Sequence, residues 1–190
     1  ETELAWRQLE GEPVLAVTGT SGKTTTISMC AAMLEAQGLN VFLGGNIGTP
    51  LSEYVLARAE GRPRADVLAL ELSSFQLQTC TTLRPRVAVL LNISANHLDY
   101  HKDMKEYIEA KMRLFRCQDA SCLAVFGPGL RGLPERMKVS ARTGYFDPDS
   151  GSFPDMQLIG PHNHANAEAA WQACREFGVT LENARRAMQR

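Results

Sequence analysis

Val14-Leu-Ala-Val-Thr-Gly-Thr-Ser-Gly-Lys-Thr-Thr-Thr26 is the stretch that decides the fold of this chain. An apolar run rich in valine ends at Thr18-Gly19 in a short polar turn, and a segment compatible with a helix follows directly. This order of strand, turn and helix places the turn at the positive end of the helix dipole. The glycines of the turn allow successive backbone N–H groups to point into one concavity. Such a concavity binds phosphate. The alternative is a plain glycine-rich turn.

The two residues that directly follow the second glycine make this prediction more specific. Lys23 supplies a mobile cation for the outer phosphates, and the Thr24 hydroxyl stands where a phosphate-bound Mg²⁺ takes a ligand. The spacing departs from the usual Gly-x-x-x-x-Gly-Lys-[Ser/Thr] pattern, which requires glycine at position 17. This chain has Val17 there.

Composition narrows the class of protein. The chain has 190 residues, 44% of them hydrophobic and 22% charged, with a formal net charge of -1, which is typical of one globular domain. Without a polybasic block, nucleic acid and anionic membranes are poor partners. No apolar stretch approaches the roughly 20 residues of a membrane span, and no signal peptide is evident, so we expect a cytoplasmic protein. Its five cysteines have no Cys-x-x-Cys pair and are interpreted as reduced.

Apolar runs without polar alternation predict an α/β fold of the P-loop NTPase type, with a mostly parallel sheet flanked by helices. Between residues 127 and 160 the pattern weakens, and we expect a small antiparallel edge sheet near 122–160. The predicted strands cover 14–18, 40–43, 67–72, 87–92 and 122–126. The predicted helices cover about 3–10, 23–37, 51–60, 103–117 and 163–177, with a last one from about 180.

Polar residues follow several predicted strands at the edge where ligands gather in a parallel sheet. Asn46 follows the second strand, Glu71 ends the third, and the polar stretch 92–97 follows the fourth. Glu71 stands between two leucines, and burying its carboxylate is costly unless it is paired or bound to metal. The alternative is a surface carboxylate at a strand end.

A loop with two histidines follows the fourth strand. His97 is either a metal ligand or an exposed loop residue, and Asp99 and His101 could orient it or the nucleotide. Oxygen ligands and phosphates favour Mg²⁺ over zinc at such a site.

Lys111 falls on the apolar face of the next predicted helix, four residues after Tyr107 and three after Ile108. Its amine either reaches solvent or is held in the site, where desolvation lowers its pKa and makes it open to modification. Farther along, Asn163 and Asn166 share one face at the start of a helix. They could contact a purine edge, but a capping role is favoured.

Six motifs in order resemble the ATP-dependent Mur ligases of peptidoglycan synthesis, specifically their central domain. The wider superfamily, which includes folylpolyglutamate synthetase, has the shortened loop Gly-Thr-x-Gly-Lys-[Ser/Thr], which accounts for Val17. The motifs resemble most closely the branch that adds D-glutamate, although Asn96 and Tyr100 replace its usual acid and arginine. The motifs are Gly19-Thr-Ser-Gly-Lys-Thr24, Gly44-Gly-Asn-Ile-Gly-Thr-Pro50 with Leu70-Glu-Leu-Ser-Ser-Phe-Gln-Leu77, Asn96-His-Leu-Asp-Tyr-His101, Ala110-Lys-Met-Arg113 and Gly160-Pro-His-Asn-His-Ala-Asn166.

The resemblance implies a role for each candidate residue. The catalytic residues would be Lys23, Glu71, His97 and Lys111, and the nucleotide would be ATP. Thr24 and Glu71 would hold one Mg²⁺, while His97 and a carbamylated Lys111 would hold a second. Asn46, Thr49 and Ser73 would lie near the muramoyl substrate. ATP would be bound by Gly19, Thr20, Ser21, Gly22, Lys23, Thr24 and Thr25 on the phosphate side and by Asn163 and Asn166 on the adenine side.

The implied reaction is amide ligation. ATP phosphorylates the carboxylate of UDP-N-acetylmuramoyl-L-alanine, and the amine of D-glutamate attacks the acyl phosphate. The resemblance implies a cytoplasmic monomer whose 190 residues form the central domain. The UDP-binding and amino-acid-binding domains are expected to be absent, so the chain alone would not complete ligation. Another ligase of the superfamily and a non-catalytic nucleotide-binding module remain alternatives, while a GTPase is improbable without an Asn-Lys-x-Asp motif.

Overall fold

One parallel sheet organises the part of the chain that this computed structural model describes, residues 1–94, 101–158 and 160–189. Within these ranges six strands lie in the order β2-β3-β1-β4-β5-β6, and every neighbouring pair is parallel. The predicted α/β class is confirmed. The strands are β1 Val14–Thr18, β2 Val41–Gly45, β3 Val67–Glu71, β4 Val87–Leu90, β5 Leu123–Phe126 and β6 Arg142–Tyr145.

Each predicted helix is present, although the first ends at Trp6, and the helices Ser74–Gln78 and Leu133–Arg136 were not predicted. The helix after the glycine turn begins at Lys23 and is followed by Gly38, whose φ of 93° is a left-handed conformation that glycine adopts without strain. Among the described helices, none has the length and apolar character needed to cross a membrane. The helices are α1 Thr2–Trp6, α2 Lys23–Ala36, α3 Leu51–Ala59, α4 Ser74–Gln78, α5 Met104–Met112, α6 Leu133–Arg136, α7 Pro161–Cys174 and α8 Leu181–Met188.

Helices cover both faces of the sheet, which explains the strands' lack of polar alternation. Along β1, Leu15 and Val17 enter one hydrophobic cluster, while Val14 and Ala16 enter another on the opposite face. Helices α2, α7 and α8 complete the first cluster, and α3, α4 and the end of α5 contribute to the second. The result is a three-layer arrangement in which both faces of the central strand β1 are buried and excluded from water.

Val17 belongs to the buried strand β1 and not to the turn. It pairs in register with Glu71 of β3, and β4 flanks β1 on its other side. The chain passes from β1 to β2 and β3 on one side and then crosses to β4 on the other side. The strand order therefore reverses at β1, which creates a crevice at the carboxyl ends of these three strands. The glycine turn, Glu71 and the residues after β4 all meet at this crevice.

The predicted antiparallel edge sheet near 122–160 was wrong. Strand β5 is parallel to β4, and the edge strand β6 is parallel to β5. The connection across 127–141 contains a 3₁₀ turn and α6, and it returns the chain to the start of the sheet before β6 begins. Parallel pairing needs such a crossover, whereas antiparallel strands need only a short hairpin.

The carboxylate of Glu3 fastens α1 to the turn after α4. It accepts hydrogen bonds from the backbone N–H groups of Thr81 at 3.0 Å and Thr82 at 3.1 Å, and from both threonine hydroxyls at 2.9 and 2.7 Å. Burial by itself raises the pKa of Glu3, but these hydrogen bonds prevail and lower the pKa from 4.5 to about 2. The ionised form is therefore the form that stabilises the fold.

Replacing Glu3 with glutamine is expected to lower the free energy of unfolding at pH 7 by about 1–2 kcal/mol. The pKa shift alone would give about 3 kcal/mol, but solvent screens a carboxylate near the surface. The stabilisation is complete above pH 4.5 and is lost as the pH falls toward 2. Urea unfolding at pH 7 and pH 3 measures both effects, with Glu60→Gln at an exposed position as the control. Equal stability of wild type and Glu3→Gln at pH 7 would contradict this role.

Candidate active site

The glycine turn presents free N–H groups at the start of α2. Gly22 precedes the helix with a φ of 82°, and the first helical hydrogen bond runs from the Thr26 N–H to the Gly22 carbonyl at 2.9 Å. The N–H groups at the start of a helix have no acceptor within the helix, so those of Lys23, Thr24 and Thr25 are available to an anion. A side chain at Gly22 would place its Cβ 2.5 Å from Asn166 Oδ1. Glycine is thus required both for the backbone conformation and for close packing.

A buried carboxylate lies beside this helix start. Glu71 is only 2% exposed, and its Oε2 accepts a hydrogen bond from the Thr24 hydroxyl at 2.6 Å. Its Oε1 accepts from the Asn46 side-chain amide at 2.8 Å. Thr24 and Asn46 are themselves exposed, so the cluster is open to solvent on the loop side. The Glu71 oxygens and the Thr24 hydroxyl are the hard ligands that Mg²⁺ prefers, and they fit that ion.

Two lysines point at successive carbonyl groups of the turn. Lys23 Nζ donates to the Thr20 carbonyl at 3.1 Å, and Lys111 Nζ donates to the Gly19 carbonyl at 2.9 Å. Lys111 is 2% exposed, and its ammonium lies 4.6 Å from the centroid of the Tyr107 ring. Burial, and after it the charge of Lys23, lower the pKa of Lys111 from 10.5 to about 7. The Lys111 side chain does not extend to solvent. Of the two interpretations of the sequence, the structure therefore supports the one in which the amine is held at the turn.

The two asparagines of α7 do not cap that helix. Its N-cap is Gly160, with no side-chain capping bond, and Asn163 and Asn166 lie within the first two turns. The favoured capping role was therefore wrong, because Pro161 starts the helix earlier than expected. Asn166 instead packs against Gly22 in the glycine turn.

The predicted substrate-side residues separate into two groups. Asn46 donates a hydrogen bond to Glu71. Ser73, two residues after Glu71, is the N-cap of α4 and forms a capping box with Gln76. Thr49 accepts a backbone hydrogen bond from Gly45 at 3.0 Å and lines a separate cavity of about 500 Å³ between β2 and α3. The structure therefore brings Asn46 and Ser73 to the crevice, while Thr49 faces the cavity.

His97 and Asp99 lie outside the described residues, so their predicted roles stay predictions. His101 is buried, and its Nε2 lies 3.0 Å from the Ser74 hydroxyl. Among the described residues, no group of three or more His, Cys, Asp or Glu side chains is arranged to hold a metal. Within the described part of the chain, Glu71 and Thr24 would supply the oxygen ligands of a metal at this position.

Sequence reasoning missed two residues that contact the turn. The Asn92 side chain bonds to the backbone of Thr20 and Ser21, and the Tyr107 hydroxyl lies 3.1 Å from that of Thr20. The sequence pattern marks Asn92 only as the start of a polar stretch, and Tyr107 only as part of an apolar stripe. The position of Asn92 directly after a buried strand was the signal that could have found it.

Comparison with known proteins places this geometry in a family. The family described as "Mur ligase middle domain" matches residues 17–127, which include the turn, Glu71 and Lys111. The chain belongs to this family. Among curated relatives, UDP-N-acetylmuramoylalanine–D-glutamate ligase of Nitratidesulfovibrio vulgaris (Miyazaki F) is 68% identical over 192 residues, covering 99% of this chain and 43% of the relative. The chain thus spans less than half of the length of such relatives.

Solved structures support the same fold. MurF from Acinetobacter baumannii superposes on the whole of this chain with a TM-score of 0.76 at 21% identity, covering 48% of the MurF chain. MurF ligase from Thermotoga maritima, solved in complex with ADP, matches 96% of this chain and 50% of its own with a TM-score of 0.71 at 23% identity. At these identities the likeness shows the fold alone.

Proposed function

We propose that this chain is the ATP-binding domain of a ligase that joins D-glutamate to UDP-N-acetylmuramoyl-L-alanine. The observation that carries the proposal is the cluster of Thr24, Glu71 and Asn46 beside the open helix start, with Lys111 buried on the turn. The 68% identical relative named as a D-glutamate ligase supports the choice of substrate, and it disfavours folylpolyglutamate synthetase. All 190 residues would form this one domain, in a cytoplasmic monomer.

The residues of the turn would bind and orient ATP. The N–H groups at the start of α2 would hold phosphate oxygens, and Lys23 would leave the Thr20 carbonyl to neutralise the outer phosphates. Asn166, packed against Gly22, and Asn163 would lie on the adenine side. These contacts would aim the terminal phosphate along the crevice, and such positioning accounts for most of the catalysis in phosphoryl transfer.

The cluster of Thr24, Glu71 and Asn46 would hold Mg²⁺ through the Thr24 hydroxyl and the Glu71 carboxylate. When bound, this ion neutralises developing charge on the phosphates. Asn46 would orient the Glu71 carboxylate, and Ser73, two residues farther on, would lie with it near the muramoyl substrate. The substrate carboxylate would attack the terminal phosphate and release ADP. The D-glutamate amine would then attack the acyl phosphate, displace inorganic phosphate and lose a proton to form the amide.

Lys111 is the residue we propose to be carbamylated. Only a neutral amine adds CO₂, and a pKa of about 7 leaves a large neutral fraction at physiological pH. The amine would form a new N–C bond with CO₂ and release a proton, which converts a buried cation into an anion. Together with His97, this carboxylate would hold the second Mg²⁺.

The decisive test is amino-acid dependence. In the gene product that contains this chain, ATP-driven phosphate release in the presence of UDP-N-acetylmuramoyl-L-alanine should be stimulated by D-glutamate. L-Glutamate, D-alanine and diaminopimelate should leave the rate at background. Stimulation by one of these amino acids in place of D-glutamate, or by a folate substrate with L-glutamate, would overturn the assignment.

Nucleotide binding can be tested on the 190-residue chain itself. Replacing Lys23 with alanine is expected to weaken Mg·ATP binding by roughly 10- to 100-fold, because a charge-assisted hydrogen bond to phosphate is lost. Isothermal titration calorimetry measures the affinity. Lys105→Ala is the matched control, since that side chain is 83% exposed on α5. Equal affinities of the Lys23 variant and wild type would exclude Lys23 from the phosphate site.

A further inference from the structure

The phosphate turn of this chain is too short to organise itself in the usual way. Gly19 and Gly22 are separated by two residues, whereas the standard pattern has four between its glycines. A longer loop can wrap its own backbone around the phosphate. In this chain, residues from outside the turn hold its first half.

The Asn92 side chain binds the turn as a peptide group would. Its Oδ1 accepts the N–H of Thr20 at 3.1 Å and the N–H of Ser21 at 3.0 Å, and its Nδ2 donates to the Ser21 carbonyl at 3.1 Å. The Asn92 carbonyl also accepts the Thr20 N–H at 3.1 Å. A short planar group carrying both a donor and an acceptor is needed for this pattern, which asparagine supplies and aspartate or leucine does not.

The Thr20 hydroxyl is held as well. It accepts the Ser94 N–H at 3.0 Å and lies 3.1 Å from the Tyr107 hydroxyl. Thr20 is therefore fixed through both its backbone and its side chain by residues of two other segments. The N–H groups of Thr20 and Ser21 have acceptors already, in contrast to those at the start of α2.

We propose that Asn92 is a positioning residue that completes the shortened phosphate turn and stays bound to it when nucleotide binds. The phosphates are then held by the N–H groups of Gly22 to Thr25, not by those of Thr20 and Ser21. This assignment rests on the proposed function of the turn in phosphate binding. The proposal reduces the residues whose backbone N–H groups bind phosphate from the seven predicted, 19–25, to four, 22–25.

The test uses the ¹⁵N-labelled 190-residue chain, followed by NMR during titration with Mg·ADP and by hydrogen exchange. We expect the Thr20 and Ser21 amides to be protected from exchange both before and after saturation. The amides from Gly22 to Thr25 should show the large shifts. Loss of protection at Thr20 and Ser21 on saturation, with shifts as large as that of Lys23, would show that phosphate displaces Asn92 and would overturn the proposal.

Variants separate positioning from general stability. Asn92→Ala should speed exchange at Ser21 about tenfold and weaken Mg·ADP about tenfold, since each backbone bond contributes modestly. Thr20 should be affected less, because the Asn92 backbone carbonyl still accepts its N–H. Asn92→Asp keeps the side-chain acceptor but loses the donor, so Ser21 should stay protected while nucleotide affinity still falls. Asn40→Ala is the control, because the Asn40 amide also donates to a backbone carbonyl, that of Arg64 at 3.1 Å, away from the turn. Unchanged exchange at Ser21 in Asn92→Ala would overturn the proposal.

Failure of the proposed function gives a different result. If Mg·ADP shifts no amide from Gly22 to Thr25, the turn is not a phosphate site. The nucleotide-free exchange of wild type and Asn92→Ala then still decides whether Asn92 positions the turn. The wild-type experiment needs no variant, so a variant that fails to fold does not prevent a decision.

Discussion

Replacing Glu71 with glutamine is expected to lower ATP-driven phosphate release by about 10²–10³-fold while the protein stays folded. Glutamine has the shape of glutamate, so its oxygen can still accept from Asn46 and its amide can face the Thr24 hydroxyl. What is removed is the negative charge at a site that is 2% exposed. In such a setting the charge is poorly screened and attracts a divalent cation strongly. The loss should therefore be mainly a loss of metal binding.

Metal titrations distinguish this explanation from a general defect. In Glu71→Gln, the Mg²⁺ concentration that gives half-maximal phosphate release should rise at least tenfold, in line with the loss of a metal ligand. Glu12→Gln is the matched control, since Glu12 is also buried and hydrogen-bonded but precedes β1 at the opposite edge of the sheet. Its Mg²⁺ dependence should be that of wild type. An unchanged Mg²⁺ dependence in Glu71→Gln would remove Glu71 from the metal site.

The contact between Glu71 and the phosphate turn could be predicted because it follows from sheet geometry. Apolar runs indicated parallel strands, and a carboxylate at a strand end is then carried to the edge where the turn lies. The register of Val17 with Glu71 confirms this reasoning. Likewise, helical periodicity alone places Lys111 on the apolar face of its helix, and that side chain is buried.

Other contacts depend on strand order, which local patterns do not encode. Asn92 reaches Ser21 across 71 positions of sequence, and only the adjacency of β1 and β4 brings them together. The partner of Lys111, the Gly19 carbonyl, lies 92 positions away. The direction of β6 was mispredicted for a related reason: a weak pattern with many glycines and prolines does not show whether the chain crosses back before its next strand.

Replacing Lys111 with methionine is expected to make the protein more stable at neutral pH and at least 10²-fold less active. Burial, together with the charge of Lys23, lowers the pKa of Lys111 from 10.5 to about 7, so the protonated form costs the fold up to about 5 kcal/mol. Methionine has a similar length and no charge. The Gly19 carbonyl loses its donor, which costs about 1–3 kcal/mol. The net gain is about 2 kcal/mol, or roughly 4–8 °C in Tm.

The sign of the pH dependence makes this prediction specific. Between pH 7 and 10.5 the unfolded chain holds the Lys111 proton more tightly than the folded chain does, so this lysine makes wild-type stability rise with pH across that window. Lys111→Met lacks that rise, and its advantage should shrink as the pH approaches 10. Thermal melts between pH 6 and 10 in CO₂-depleted buffer measure it. A gain that does not vary with pH, or a loss of stability at pH 7, would contradict a buried cation.

Stability and activity are opposed at Lys111 because the chemistry proposed for it needs an amine that is easily deprotonated. Adding ¹³C-labelled bicarbonate to wild type should give a carbamate NMR signal that grows as the pH rises through 7, where the neutral amine becomes abundant. The same addition should raise wild-type Tm at neutral pH if the new carboxylate is paired with Lys23 or metal, and it should leave Lys111→Met unchanged. A signal of equal size in Lys111→Met would assign the carbamate to another amine. In that case, carbamate formation at Lys111 would not offset the stability that the buried ammonium costs the apo fold.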